Sequence, residues 1–212
     1  MAQYDFNYIN FENERERAIM AKLFFKYGTV FSAKSLNLIA TAHNYETQGK
    51  KVLLMIPFMD TRSNGNISTR AGFELKAEMI DTNTNVVDVF IEHLDKKEKI
   101  DCVLVDEAQM LSSKHIDQLR EIVVRFNTPV ICYGLRVSYT LELFEASKRL
   151  FELSDKLEEI KTICWYCASK ATHNLKLVEG KPEYKGNPID IGGLEKYLPV
   201  CYNCYVNPPI ES

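Results

Sequence analysis

Leu23-Phe24-Phe25-Lys26-Tyr27-Gly28-Thr29-Val30-Phe31-Ser32-Ala33-Lys34-Ser35 is the stretch on which the architecture turns. Leu23-Phe24-Phe25 reads as a buried strand, and from Gly28 to Ser35 the chain has the length and the ending of the G-x-x-x-x-G-K-[ST] pattern. In that pattern, backbone N–H groups at the start of a helix surround phosphate oxygens, a Lys neutralises them, and a Ser or Thr hydroxyl binds Mg²⁺. Lys34 and Ser35 stand in the required place, but Ala33 occupies the position of the second glycine. If the backbone there needs positive φ, the methyl group costs on the order of 1–2 kcal/mol. Taken alone, these residues also fit a glycine-initiated strand–helix turn carrying a surface lysine.

The second decisive segment is Cys102-Val103-Leu104-Val105-Asp106-Glu107-Ala108-Gln109. Asp106 ends an apolar run and so emerges at the edge of a sheet, where its natural role is to hold Mg²⁺. Glu107 points elsewhere and can take a proton from a hydroxyl nucleophile. A solvated acidic turn is the plainer account, but a phosphate loop on a neighbouring strand favours the site.

Around these segments, strand and helix patterns alternate. A helix starting near Ser35 runs to the stop signal at Gly49, and Val52-Leu53-Leu54-Met55-Ile56 is an apolar strand ended by Pro57. Helices are expected over residues 86–94 and 114–126, and strands over 102–105, 129–133 and 156–162. Such alternation implies right-handed crossovers and a mainly parallel sheet flanked by helices, with ligands at the carboxyl ends of its strands. The expected fold class is α/β, P-loop NTPase-like (RecA-like), plus a small metal-held module. The expected organisation is an arm or helix over 1–21, a nucleotide-binding domain over 22–162, the metal module over 163–206 and a tail over 207–212. No internal repeat interrupts this order.

The metal module is read from Cys164-x₂-Cys167-x₃₃-Cys201-x₂-Cys204. Two C-x-x-C pairs suit a tetrahedral Zn²⁺ with four thiolates, a closed shell that makes the ion structural rather than catalytic. His173 is read as an ordinary loop histidine, because four sulfurs already complete the shell. Cys102 and Cys132 lie in apolar runs and are expected as reduced core thiols.

Composition narrows the class further. Of 212 residues, 46% are hydrophobic and 26% charged, which is ordinary for a globular chain with a full core. The net charge of −3 gives no general attraction to nucleic acid or to an anionic membrane. No apolar run approaches the roughly 20 residues needed to span a bilayer. The first residues lack the pattern of a signal peptide, so a cytoplasmic location is expected.

Together these segments resemble the type II thymidine kinases, the zinc-containing family of bacteria, some phages and viruses, and animal cytosol. The resemblance runs from about Leu23 to Tyr205. It is carried by Ser32-Ala33-Lys34-Ser35, Asp60-Thr61-Arg62, Ser68-Thr69-Arg70-Ala71-Gly72 and Asp106-Glu107-Ala108-Gln109. It continues through Tyr133-Gly134-Leu135-Arg136, Phe144-Glu145-Ala146-Ser147 and Lys161-Thr162-Ile163-Cys164 to Ile191-Gly192-Gly193-Leu194-Glu195-Lys196-Tyr197. What it implies is ATP-dependent transfer of the γ-phosphoryl group to the 5′-hydroxyl of thymidine in nucleotide salvage, by a homotetramer.

Under that resemblance Glu107 is the catalytic base and Arg62 steadies the phosphates or the developing charge. Gly28, Thr29, Val30, Phe31, Ser32, Ala33, Lys34, Ser35 and Asp106 hold ATP, with Ser35, Asp106 and Asp60 around Mg²⁺. A lasso loop with Ile189, Asp190, Ile191, Gly192 and Gly193 grips thymine largely through backbone groups. Leu135, Tyr139, Phe144 and Tyr197 complete the pocket. The chain departs from the family at Ala33, at Met110 where an aromatic is common, and at Ser138-Tyr139-Thr140-Leu141 where a glycine-containing turn is frequent. Two other readings follow from the same residues: a nucleotide binder weakened by Ala33, and a zinc-containing ATPase that binds DNA.

Overall fold

A computed structural model describes residues 20–58, 65–69, 72–188 and 196–209. In chain order its elements are β1 (Leu23–Gly28), α1 (Lys34–Thr47), β2 (Val52–Pro57), β3 (Asn66–Ser68), β4 (Glu74–Lys76), β5 (Glu78–Ile80), α2 (Val86–Asp95) and β6 (Cys102–Val105). A 3-10 turn (Ala108–Met110) follows, then α3 (Ser113–Phe126), β7 (Val130–Leu135), α4 (Glu145–Leu153) and β8 (Lys156–Glu159). The chain closes with β9 (His173–Val178), β10 (Lys181–Glu183), β11 (Tyr197–Val200) and α5 (Tyr202–Val206).

Six strands form the main sheet in the order β5-β2-β6-β7-β1-β8, and every pairing in it is parallel. All four residues of β6 are fully buried, as expected of a central strand covered on both faces. The period of two decides which face each one serves. Cys102 and Leu104 pack with Leu38 and Ala42 of α1, whereas Val103 and Val105 pack with α2 and α3 through Phe90, Ile116, Leu119 and Ile122. Both core thiols are reduced, and burial pushes the Cys102 thiol up to about 12 and Cys132 higher still, so neither ionises near neutrality.

Helices α2 and α3 start at capping side chains. Asn85 caps α2 by accepting from the Val87 N–H, and Ser112 and His115 cap α3 reciprocally. Helix α4, with Leu150 and Ala146 buried against the sheet, was not anticipated from periodicity, nor was the β3–β4 hairpin that delivers Ile67 to the α1 face.

Three expectations need correction. The strand carrying Asp106 does not neighbour the one carrying the phosphate loop, because β7 lies between β6 and β1. Strand β8 ends at Glu159 rather than 162, since its partner β1 ends one residue past Tyr27, which pairs with Glu159. His173 opens strand β9, paired with Val200, instead of sitting in a loop.

The second unit is a three-stranded antiparallel sheet in the order β10-β9-β11, with α5 beside it. Its small core joins Leu175, Val200 and Tyr205 to Cys164 and Cys204. Such a core is slight, which is the usual reason for a small module to be held by metal.

Candidate active site at the carboxyl edge of the sheet

The turn after β1 adopts a backbone that its residues disfavour. Phe31 has φ 59° and Ala33 φ 61°, so the methyl group of Ala33 does sit in the left-handed region that favours glycine. Ala33 is also the residue at the N-cap of α1 and offers no capping side chain, so the positive end of a 14-residue helix faces the loop. Gly28 cannot be replaced without movement, because a Cβ there would lie 2.6 Å from the Ile160 carbonyl oxygen and 2.4 Å from Ser32 Oγ. Thr29, Val30, Ser32 and Lys34 are buried, while Phe31 turns its ring outward to within 6.0 Å of Trp165.

Lys34 Nζ donates to the Thr29 carbonyl at 2.7 Å and approaches Ser32 Oγ at 3.5 Å. Burial lowers its pKa, and the nearby carboxylates of Glu107 and Asp106 oppose that shift. The lysine thus lies within the field of both acids although β7 runs between their strands.

Asp106 is 3% exposed, and burial, reinforced by the Glu107 charge, pushes its pKa up to about 6. The Ser35 hydroxyl and the Glu107 N–H, which donates at 3.0 Å, pull the other way. A serine after the phosphate-loop lysine, joined to a buried acid, is the donor set that hard, oxygen-preferring Mg²⁺ requires, so the residues fit that ion. Glu107 has a left-handed backbone, with φ 48°. Its carboxylate accepts from Gln109 Nε2 at 2.5 Å, and Gln109 Oε1 in turn accepts from the Leu135 N–H at 2.9 Å. Asp60 and Arg62 lie outside the described residues.

Of the residues expected to wall the pocket, Tyr139 and Tyr197 lie ring to ring. Tyr139 is buried, with its ring 5.9 Å from that of Tyr197 and 4.7 Å from Lys176 Nζ. Its hydroxyl donates to the Lys185 carbonyl, and its own carbonyl accepts from Tyr205 Oη at 2.6 Å. Phe144 is buried at the start of α4, and Ser147 one turn on donates to the Leu135 carbonyl at 2.6 Å. The turn that lacks glycine closes with Leu141 at φ 67°, held by a Leu141 N–H bond to the Ser138 carbonyl. Ile189, Asp190, Ile191, Gly192 and Gly193 lie outside the described residues. Sequence reading missed Lys176, Asn174 and the bridging role of Gln109. Only Gln109 left a signal, as part of the Asp-Glu-Ala-Gln run.

The four expected cysteines converge. Their Sγ atoms all lie within 4.8 Å of one another, with Cys167 at 3.8 Å from Cys201 and 3.9 Å from Cys204. A tetrahedron with metal–sulfur bonds of about 2.3 Å has edges of about 3.8 Å, which the two Cys167 distances match, so the donor set suits a four-thiolate metal ion. Hydrogen bonds from Ser169 bring the Cys167 thiol down to about 6, which favours the thiolate that a metal needs. Among the described residues no helix is long and apolar enough to cross a membrane.

The geometry brings a left-handed turn before a helix, the buried Asp106 and the neighbouring Glu107 to one sheet edge, and four cysteine thiols together in the smaller sheet unit. Comparison with known proteins agrees. The thymidine kinase family model matches residues 21–205. A thymidine kinase of Lactococcus lactis is 47% identical over 192 residues, 90% of this chain and the whole of that protein. One from Listeria monocytogenes is 46% identical over 194 residues, covering 91% of this chain, and one from Streptococcus pyogenes 45% over 192 residues, covering 90%; both are matched over their whole length. The chain therefore belongs to the thymidine kinase family and is a kinase.

Proposed function

We propose that this kinase transfers the γ-phosphoryl group of ATP to the 5′-hydroxyl of thymidine, giving thymidine monophosphate and ADP for nucleotide salvage. The observation that carries the reading is the buried Lys34 behind a left-handed turn at the N-terminus of α1, in a chain that the thymidine kinase model matches over residues 21–205.

In this reading the N–H groups of Gly28–Ser35, other than that of Val30, which donates to Asn174 Oδ1, and the N-terminus of α1 cradle the triphosphate. Lys34, whose Nζ donates to the Thr29 carbonyl, turns from it to neutralise phosphate oxygens. Ser35 and Asp106, with Asp60, would hold Mg²⁺, which neutralises charge developing on the bridging oxygens. Glu107 accepts the proton of the 5′-hydroxyl as its oxygen forms the new bond to the γ-phosphorus and the bond to the β-phosphate oxygen breaks. Gln109 orients the Glu107 carboxylate, and Arg62 offsets charge on the transferring group. Leu135, Tyr139, Phe144 and Tyr197 enclose the base under the loop containing Ile189, Asp190, Ile191, Gly192 and Gly193. The four cysteines hold a structural Zn²⁺. We further propose a cytoplasmic homotetramer with no nucleic-acid or membrane partner.

The deciding experiment incubates the protein with thymidine, ATP and Mg²⁺ and measures thymidine monophosphate by mass spectrometry. Stoichiometric ADP and thymidine monophosphate are expected; ATP hydrolysis stimulated by DNA, with no nucleotide product from thymidine, would overturn the proposal.

A further inference from the structure

The phosphate loop of this chain holds its shape against strain. Phe31 and Ala33 both occupy the left-handed region, where a side chain is disfavoured. Glycine would adopt that backbone readily; here something outside the loop must hold it.

Asn174 does so from the other unit of the protein. It is 3% exposed, on β9, and its Oδ1 accepts from the Val30 N–H at 2.9 Å. Its Nδ2 donates to the Val137 carbonyl, in the loop after β7, at 3.2 Å. Both ends of the carboxamide are therefore engaged, and the residue before the first left-handed position is fixed to a strand 144 positions away. The backbone just before β9 is fixed as well: Arg136 donates to the Thr172 carbonyl, and the Thr172 N–H donates to the Val200 carbonyl. Strand β9 is in turn part of the small core that includes Cys164 and Cys204.

We propose that Asn174 is a positioning residue for ATP, by which the thiolate-held module keeps the glycine-poor phosphate loop in its binding conformation. The inference rests on the reading of Gly28–Ser35 as the ATP site. Asn174 touches no reacting atom; it acts through the Val30 amide. A buried N–H left without its partner is costly, and the strained loop relaxes to backbone angles that suit Phe31 and Ala33 better.

The test compares the full-length parent with Asn174→Ala, each also in an Ala33→Gly background. Steady-state kinetics give KM for ATP and for thymidine, metal analysis gives zinc content, and NMR hydrogen exchange gives protection of the Val30 amide. Asn174→Ala is expected to raise KM for ATP about tenfold while KM for thymidine stays within about twofold and zinc content is unchanged. In the Ala33→Gly background the same change should cost less, because one of the two left-handed positions no longer needs support while Phe31 still does. Should Asn174→Ala fail to fold, Asn174→Asp keeps an acceptor for Val30 and loses the donor to Val137. Val30 must then remain protected while Val137 contacts loosen. An unchanged KM for ATP, a parallel rise in both KM values, or an equal loss in the two backgrounds would each overturn the proposal. If the parent itself binds no ATP, the site reading fails instead. Faster Val30 exchange in Asn174→Ala would then still support the bracing, and unchanged exchange would refute it.

Discussion

Gln109 Nε2 donates to Glu107 Oε2 at 2.5 Å while Gln109 Oε1 accepts from the Leu135 N–H at 2.9 Å. One buried carboxamide thus ties the candidate base to the end of the strand that opens onto the pocket. Glu107 sits at φ 48°, so its direction is not set by ordinary strand geometry and depends on this partner.

Replacing the base and replacing its partner should therefore differ. Glu107→Gln is expected to bind ATP and thymidine normally and to lose about 10²-fold or more in kcat. Gln109→Leu keeps the base but frees its orientation, and should lower kcat by about tenfold with little change in either KM. Single-turnover phosphoryl transfer checks both. A Glu107→Gln protein that keeps the parent rate would remove Glu107 from its role.

Gly134 bears on the same contact. A Cβ there would lie 2.7 Å from Gln109 Oε1 and 3.1 Å from the Gln109 backbone nitrogen. Gly134→Ala is expected to destabilise the fold by about 1–3 kcal/mol, the usual cost of overpacking, and to lower kcat as Gln109 is displaced. Chemical denaturation and kcat measured on one preparation separate the two effects. A stable variant with the parent kcat would show that the contact has room to yield.

Ala33→Gly relieves a left-handed backbone, φ 61°, at the cost of a more flexible unfolded chain. The two contributions are each about 1 kcal/mol, so global stability should move by less than that. ATP affinity is the sharper readout, because the loop alone feels the relief, and it should improve by a few-fold. Calorimetric titration with a non-hydrolysable ATP analogue measures it; weaker binding would show that Ala33 is not strained against the ligand.

The buried Asp106 predicts a pH signature. Its pKa is pushed up to about 6 from an ordinary 3.8, so the folded protein holds this proton more tightly than the unfolded chain. Its stabilising contribution is complete below about pH 4 and is lost as pH rises through about 6. In metal-free protein, Asp106→Asn should flatten the fall of stability between about pH 4 and 6. Mg²⁺ competes with the same proton, so its apparent affinity should fall as pH drops below about 6. A parent and variant with identical slopes in urea denaturation across that pH range would count against the buried-proton account.

For the cysteine cluster, one bound Zn²⁺ per chain is expected by elemental analysis, and Cys167→Ser should lose most of it. Because a structural zinc contributes folding energy outright, the variant should also melt at a lower temperature and expose the β9–β11 segment to protease. Four thiols that titrate freely in the folded protein would refute a closed shell.

Much of this was legible in the chain because the signals are local. The apolar run at Cys102–Val105, the spacing of Lys34 and Ser35 behind Gly28, and the two C-x-x-C pairs each place chemistry by neighbours in sequence. Helix α4 was harder to see, since only Ala146, Ser147 and Leu150 of it are buried, and the short strands β3, β4 and β5 span three residues each, too few to show a period.

The sequence by itself determined the parallel α/β class, the phosphate loop, the Asp106–Glu107 pair and the thiolate set, all of which follow from residue type at fixed spacing. The tertiary structure decided that β7 separates the acid-bearing strand from the phosphate-loop strand, that Ala33 is left-handed, that Gln109 bridges Glu107 to Leu135, and that Asn174 reaches Val30. The reason is physical. Strand order and side-chain hydrogen bonds between distant segments are set by packing of the whole chain, and an asparagine that will be buried against a remote amide has the same local pattern as one that faces water.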